Sequence, residues 1–152
     1  EGVGVDLVFF DGEEGPKDTP YHYLGSKDLA ANWAKTGVAL PARGLIVDMV
    51  GRKGLQIRRE GFSQERARAV LDEVFAIAEK KGARHFVDAP GKYILDDHIA
   101  FLQRGIPVAN LIDIDDPNWH TQGDTLDNLD PHAMAEVAEV VLAWIRQQRP
   151  GG

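Results

Sequence analysis

Two adjacent glutamates, Glu13 and Glu14, are the first residues of this sequence whose type and spacing could do chemistry. They follow an apolar run at residues 5–10 that only Asp6 interrupts. Adjacent carboxylates can divide labour, because one can bind a metal ion while the other accepts and donates a proton. A solvated acidic turn has the same local pattern. The pair therefore indicates either a metal-dependent site or an exposed turn.

Asp48 and the pair Asp96-Asp97 are the next candidates. Asp48 lies inside the apolar run at residues 45–50, where an unpaired carboxylate would be costly to bury. It needs a metal ion, a cation or a hydrogen-bond donor, unless the end of a strand exposes it. Asp96 and Asp97 precede His98, and the local pattern also fits aspartates that cap a helix. Neither place identifies a site on its own.

His120 follows Trp119 in a polar loop rich in aspartate. Histidine is a common metal ligand, but a loop histidine is more often an ordinary surface residue. Trp119 could form the wall of a substrate pocket or simply pack against the protein. Both alternatives stay open on local grounds.

The composition argues against several other sites and partners. The formal net charge of −7 argues against a surface that neutralises nucleic-acid phosphates. The absence of cysteine excludes disulfides and thiolate zinc sites. No apolar run reaches the roughly 20 residues that a membrane helix needs. We therefore expect neither nucleic acid nor a membrane as a partner.

Strand and helix patterns alternate along the chain. Strands are predicted at residues 5–10, 45–50, 84–89 and 106–112, with a shorter candidate at 55–58, and helices at 25–35, 63–81, 96–104 and 131–148. This alternation predicts one α/β domain over residues 1–152, with a mostly parallel sheet flanked by helices. Ligands of such sheets bind beyond the carboxyl ends of the strands, where the candidate residues lie.

Residues at the ends of the predicted helices support these boundaries. Ser26 is the expected N-cap of the first helix, and Ser63 opens a pattern like a capping box in the second. Gly82 is expected to end that second helix. Asp130 is the expected N-cap of the last helix, with Pro131 at its first position.

Five segments, taken in order, resemble the M28 aminopeptidases and glutaminyl cyclases. They are VFFDGEE with YLGSK at residues 8–14 and 23–27, LIVDMVG at 45–51, DDHI with FL at 96–99 and 101–102, RGIPV at 104–108, and WHT at 119–121 with Asp124 and NLD at 128–130. The resemblance covers nearly the whole chain. It implies a phosphorylase/hydrolase-like zinc exopeptidase architecture and an enzyme that binds one or two zinc ions.

The resemblance also implies roles for individual residues. Glu14 and His120 would bind zinc, and Glu13 would be the general base. Asp48 would be a ligand of a second zinc ion, as in the aminopeptidases, or a hydrogen-bonded acid near the catalytic glutamate, as in the cyclases. Asp97 would belong to the catalytic acids around Glu13, and Trp119 would form part of the substrate pocket.

Family members take further zinc ligands from segments that precede the strand of the glutamate pair. Almost nothing precedes that strand here, so we expect the C-terminal portion of a longer M28-like catalytic domain, without its N-terminal strands. An N-terminal segment of the same enzyme would then complete the site, and this fragment alone would be inactive. Because family members are commonly exported, the resemblance implies an exported or periplasmic protein.

The choice of reaction depends on the pocket walls. Residues 15–21 lack the tryptophan that the animal cyclases place after their glutamate pair, and Asp115-Asp116-Pro117 replaces a segment containing phenylalanine. The loss of these apolar walls favours a metallopeptidase that hydrolyses the N-terminal peptide bond of peptides. Formation of N-terminal pyroglutamate by a glutaminyl-peptide cyclotransferase is the alternative. An inactive M28-like binding domain is the third hypothesis.

Overall fold

The central strand of the fold, β4 (Val108–Ile112), is buried at every residue, as predicted for a strand covered on both faces. In this computed structural model, which describes residues 3–16, 19 and 22–148, β4 runs parallel to β1 (Gly44–Asp48). A second parallel pair consists of β2 (Ile57–Arg59) and β3 (Phe86–Pro90), and β2 contacts β4. The predicted α/β class with parallel strands is confirmed.

The described residues contain five α-helices and two short 3-10 helices. The α-helices are α1 (Leu24–Asn32), α2 (Gly61–Arg66), α3 (Arg68–Lys81), α4 (His98–Leu102) and α5 (Pro131–Gln147). The 3-10 helices span Trp33–Thr36 and Leu126–Asn128. Across residues 3–16, 19 and 22–148, no helix is both long and apolar enough to cross a membrane.

Strand β4 separates two apolar cores. Ala109 and Leu111 pack into a cluster with buried residues of α3 and α5. Val108 packs into a second cluster that includes Ala30 of α1 and Phe101 of α4. Because successive residues of a strand face opposite sides of a sheet, β4 contributes to both cores. The helices therefore form a layer on each face of the sheet.

Two predicted helix ends are confirmed. The side chain of Asp130 accepts hydrogen bonds from the amides of His132 and Ala133, and Pro131 occupies the first turn of α5. Gly82 ends α3 in the left-handed conformation, with φ 68°. Each of these two helix ends is formed by contacts between residues only a few positions apart in the sequence.

The strand predicted at residues 5–10 is absent from the structure. Val5, Leu7 and Phe9 are 59%, 82% and 87% exposed, and within the described part of the chain no strand pairs with this segment. Only Phe10 reaches the core, with its ring centroid 5.8 Å from that of Phe101. An apolar run becomes a strand only where a neighbouring backbone satisfies its hydrogen bonds.

The starts of two predicted helices were also wrong. Tyr23, and not Ser26, precedes α1, and the buried hydroxyl of Ser26 donates back to the carbonyl of Tyr23. Glu60, and not Ser63, caps α2. The single helix predicted at residues 63–81 is interrupted at Ala67, where φ is −131°.

The remaining helix and strand ends in the structure differ from the predicted ends by a few residues. Helix α1 ends at Asn32, and α4 spans only five residues, preceded by Asp97. The short strand candidate at 55–58 corresponds to β2. This strand pairs with β3 and not with β1. The mostly parallel arrangement is unaffected by these shifts.

Candidate active site

The loop that carries Glu13 is fixed against the start of α1. The carbonyls of Asp11, Gly12 and Glu13 accept hydrogen bonds of 2.8, 2.8 and 3.1 Å from successive amides of residues 23–25. A Cβ atom at Gly25 would lie 2.5 Å from the carbonyl oxygen of Asp11, which is closer than real Cβ atoms approach. The glycine therefore allows the loop to pack directly on the helix.

Glu14 and His120, the two zinc ligands implied by the resemblance, meet in the structure. Nε2 of His120 lies 2.9 Å from Oε1 of Glu14, although 106 positions separate the residues. Both side chains are more than half exposed. A carboxylate oxygen and an imidazole nitrogen are donors that suit zinc. This pair fits two positions of a zinc site.

Further ligands do not join this pair within the described residues. There, no group of three or more His, Asp or Glu side chains is placed to hold a metal ion. A catalytic zinc ion usually takes three ligands from protein. The pair of Glu14 and His120 alone therefore falls short of a complete zinc site.

A group of carboxylates, here called the acidic centre, consists of Glu13 and of three aspartates whose charges act on it, Asp48, Asp96 and Asp97. Burial, together with repulsion from Glu14 and from the rest of the acidic centre, raises the pKa of Glu13 to about 7. A carboxyl group with such a pKa can take up and release a proton near neutral pH.

Asp48 is the last residue of β1, which is the strand-end position given as the alternative to a buried one within the run. Burial and repulsion from Asp96 raise its pKa, a hydrogen bond from the amide of Met49 opposes them, and the net result is a pKa of about 6. Tyr23 borders the same group: burial and then the charge of Glu13 raise its pKa to about 12. Repulsion from Asp96 and Asp97 thus contributes to the raised pKa of both Glu13 and Asp48.

Asp97, predicted to be catalytic, is 7% exposed, and its Oδ1 has no hydrogen-bond partner among the described residues. Burial raises its pKa, and the Ser26 hydroxyl opposes this. Asp96, which the sequence did not single out as catalytic, raises the pKa of Glu13 more than Asp97 does. Its Oδ2 accepts a hydrogen bond of 2.7 Å from Asn110.

Three residues at this site have an unusual backbone conformation. Among the described residues, the non-glycine residues with positive φ are Tyr23 (58°), Met49 (50°) and His120 (58°). Tyr23 precedes α1, and Met49 follows Asp48. Such conformations are uncommon outside glycine and cluster at functional sites. Their position here supports the assignment of the site.

Trp119 lies beside the ligand pair. Its ring centroid is 4.3 Å from that of His120, with the two rings inclined at 32°, and 45% of the residue is exposed. An exposed indole next to His120 fits the predicted pocket wall. That role stays a prediction.

A buried pair, Glu60 and His98, was missed by the sequence analysis. Nε2 of His98 lies 3.2 Å from Oε2 of Glu60, and both side chains are almost inaccessible. The one local signal was the position of Glu60 between the strand candidate at residues 55–58 and the helix predicted from residue 63. Nothing in the sequence connected Glu60 to His98.

We expect the stabilisation of the fold by the Glu60 carboxylate to be lost at acid pH. Burial alone would raise its pKa, but the nearby imidazole of His98 and hydrogen bonds from Ser63 and the amide of Ile94 outweigh burial and lower the pKa from 4.5 to about 2. A carboxylate with a lowered pKa stabilises the fold above its unfolded-state pKa, and this contribution disappears as the pH falls from 4.5 towards 2. We expect the difference in unfolding free energy between wild type and Glu60→Gln to shrink by about 2 kcal/mol between about pH 5 and pH 3.

Urea denaturation at a series of pH values measures this difference. The matched control is Glu79→Gln, which changes an exposed glutamate of α3 and should give a difference independent of pH. If the difference in unfolding free energy between wild type and Glu60→Gln stays constant down to about pH 3, the lowered pKa of Glu60 is contradicted.

Comparisons with known proteins identify the family of this chain. Residues 2–145 match peptidase family M28. A glutaminyl-peptide cyclotransferase of Drosophila melanogaster is 30% identical over 152 residues, covering 84% of this chain and 42% of that protein. The glutaminyl cyclase of Fimbriiglobus ruber has 32% identity and a TM-score of 0.83, covering 92% of this chain and 51% of that one.

A third similar protein is a hydrolase by name. The crystal structure of a Zn-dependent exopeptidase from Parabacteroides distasonis has 29% identity and a TM-score of 0.79, covering 92% of this chain and 53% of that one. This chain thus spans about half the length of the proteins it matches. The family match extends over nearly all of the chain, including the glutamate pair and His120, and this chain belongs to peptidase family M28.

Proposed function

We propose that this chain carries the catalytic acids and part of the zinc site of an enzyme that acts on the N-terminal residue of peptides. The observation that carries the proposal is the contact of 2.9 Å between Glu14 and His120. Two donors of the right chemistry meet beside Glu13, although they come from opposite ends of the chain. Family membership adds independent support.

The roles follow from the positions of the side chains. Glu14 and His120 would hold the zinc ion, which supplies a Lewis acid for the carbonyl group under attack. Glu13 would move the proton, and the neighbouring carboxylates favour its protonated form by repulsion. Trp119 would border the substrate beside His120. Asp96 and Asp97 complete the acidic centre behind Glu13.

The number of zinc ions depends on Asp48. A second ion would use its carboxylate as a ligand, whereas a site with one ion leaves Asp48 as an acid near Glu13. The raised pKa of Asp48 fits both arrangements, because buried carboxylates that would share an ion also repel one another without it. Zinc analysis of the complete enzyme gives the ratio directly.

Hydrolysis of the N-terminal peptide bond is the first candidate reaction. Asp115-Asp116-Pro117 and the tryptophan-free segment at residues 15–21 lack apolar walls for a glutamine side chain, although residues 17, 18, 20 and 21 lie outside the described part. Similarity to a Zn-dependent exopeptidase also supports hydrolysis. Glu13 would then accept the proton of the attacking water.

Cyclisation of N-terminal glutamine is the second candidate, and the similarity to named glutaminyl cyclases supports it. In this reaction, Glu13 would carry a proton from the substrate's α-amine to the departing ammonia. The same residues serve either reaction, because both need one mobile proton beside a polarised carbonyl group.

Two substrates separate the candidates. The complete zinc-loaded enzyme is offered an aminoacyl chromogenic amide and a peptide that begins with glutamine. We expect release of the chromophore for a peptidase, whereas ammonia release without amide hydrolysis would show a cyclase. If the zinc-loaded enzyme performs neither reaction, the inactive M28-like binding domain becomes the better hypothesis.

We also propose that this chain is the C-terminal portion of a longer M28 catalytic domain, completed by an N-terminal segment of the same enzyme. The exposed side chains of Val5, Leu7 and Phe9 support this, because their spacing of two places them on one side of an extended chain. An added strand would cover them and bring further ligands. The zinc affinity of this chain alone should differ from its zinc affinity in the presence of the N-terminal segment.

By family resemblance we also propose an exported or periplasmic location. Cell fractionation tests this location.

A further inference from the structure

Glu60 lies behind the acidic centre and joins two parts of the fold. Its side chain is 1% exposed. Oε1 accepts hydrogen bonds of 3.0 Å from the amides of Phe62 and Ile94. Oε2 accepts bonds of 2.7 and 2.6 Å from the amide and hydroxyl of Ser63. One carboxylate therefore ties the start of α2 to the loop that leads to Asp96.

His98 extends this connection to α4. It is the first residue of that helix, and its Nε2 lies 3.2 Å from Oε2 of Glu60. Ile94 precedes the pair Asp96-Asp97 by two residues, and His98 follows the pair directly. Glu60 thus contacts the chain on both sides of the two aspartates.

A second route reaches Asp96 through β4. The hydroxyl oxygen of Ser63 accepts a hydrogen bond of 2.9 Å from the amide of Asn110. The side-chain amide of Asn110 donates to Oδ2 of Asp96 at 2.7 Å, and Oδ1 of Asp96 accepts from the amide of Asp97 at 2.6 Å. All of these residues are buried. The side chains behind the acidic centre form one continuous network.

The negative charges of the acidic centre explain why such a network is needed. Asp96 and Asp97 both repel Glu13 and raise its pKa. Carboxylates that repel one another move apart unless other contacts hold them. A buried carboxylate and imidazole add little stability over apolar side chains of similar volume, so stability alone does not account for the pair. Hydrogen bonds to Asp96 from the side chain of Asn110 and from the amide of Asp97 hold its carboxylate in place against this repulsion.

We propose that Glu60 is a positioning residue, which holds Asp96 and Asp97 beside Glu13 without touching the substrate. The inference rests on the proposed function, because it takes the acidic centre to be catalytic. Replacement of Glu60 should then impair the chemical step more than substrate binding.

The test is Glu60→Gln in the complete zinc-loaded enzyme. A glutamine side chain at this position would fill the same volume but carry no charge and one fewer acceptor oxygen. We expect kcat to fall about 10- to 100-fold, because displacements of about 1 Å at a catalytic group have effects of this size. KM should change less than about threefold, and zinc content should not change. An unchanged kcat per folded molecule would overturn the proposal.

Glu73→Gln is the matched control. Glu73 also pairs with a basic residue, Arg43, at 2.7 Å and accepts a hydrogen bond from Trp144. Arg43 precedes β1, so this pair lies at the opposite end of the strand from Asp48. The control should lower stability and leave kcat per folded molecule unchanged. An equal fall of kcat in both variants would also overturn the proposal.

Two further measurements keep the proposal testable if Glu60→Gln folds poorly or the wild type is inactive. Ser63→Ala removes the hydroxyl between Glu60 and Asn110 and should lower kcat about 3- to 10-fold. Hydrogen exchange at the amides of Ile94 and Asp97 needs no substrate and should be faster in either variant. Wild-type inactivity in both assays would refute the proposed function, while unchanged exchange would refute the positioning role separately.

Discussion

Replacing Glu13 with glutamine is expected to lower kcat of the complete enzyme by about 100- to 10,000-fold, the usual contribution of a general acid or base. Glutamine keeps the size of the side chain but cannot accept the proton. Burial and the surrounding carboxylates raise the pKa of Glu13 to about 7, so a mobile proton is lost in this variant. Steady-state kinetics with the better of the two substrates measures the effect.

Zinc content distinguishes the role of Glu13 from that of its neighbour. Glu13→Gln should retain zinc, because Glu14 and not Glu13 contacts His120. Glu79→Gln, a change of an exposed glutamate on α3, should keep both zinc and kcat. A Glu13→Gln enzyme with near wild-type kcat would refute the proton-transfer role, whichever of the two reactions the enzyme catalyses.

Replacing His120 with alanine is expected to abolish stable zinc binding. Loss of a hydrogen-bond partner of a zinc ligand already lowers affinity about 10- to 100-fold, and loss of the ligand itself should exceed this. His120 also holds a left-handed backbone conformation, with φ 58°, which supports a specific role for its side chain. Competition with a chelator, followed by metal analysis after dialysis, measures the change.

The control for this variant is another histidine. His132→Ala changes an exposed residue in the first turn of α5 and should leave zinc affinity unchanged. Glu14→Gln should behave like His120→Ala, since the two side chains meet at 2.9 Å. Wild-type zinc affinity in both Glu14→Gln and His120→Ala would require the metal site to be placed elsewhere.

Much of the candidate site could be predicted because its residues lie in recognisable segments. The order of these segments identified Glu13, Glu14 and His120 before any distance was known. The structure then brought Glu14 and His120 together and gathered Asp48 and Asp97 near Glu13. The individual catalytic roles remain predictions, because no contact with a substrate or an ion tests them.

The first strand and Glu60 show where prediction from sequence failed. The apolar run at residues 5–10 has the composition of a buried strand, but its conformation depends on a neighbouring strand that the described residues do not provide. Glu60 resembled an ordinary charged residue after a strand. Its contacts with Ile94 and His98 come from residues more than 30 positions away.

By itself the sequence determined the fold class, the family resemblance, and local features such as the cap at Asp130 and the end of α3 at Gly82. These depend on periodicity and on hydrogen bonds between residues a few positions apart. Only the tertiary structure decided that Glu14 reaches His120, that Asp96 raises the pKa of Glu13, and that Glu60 accepts a hydrogen bond from the amide of Ile94. Those contacts depend on the packing of distant segments and on the burial of charge, which local sequence does not specify.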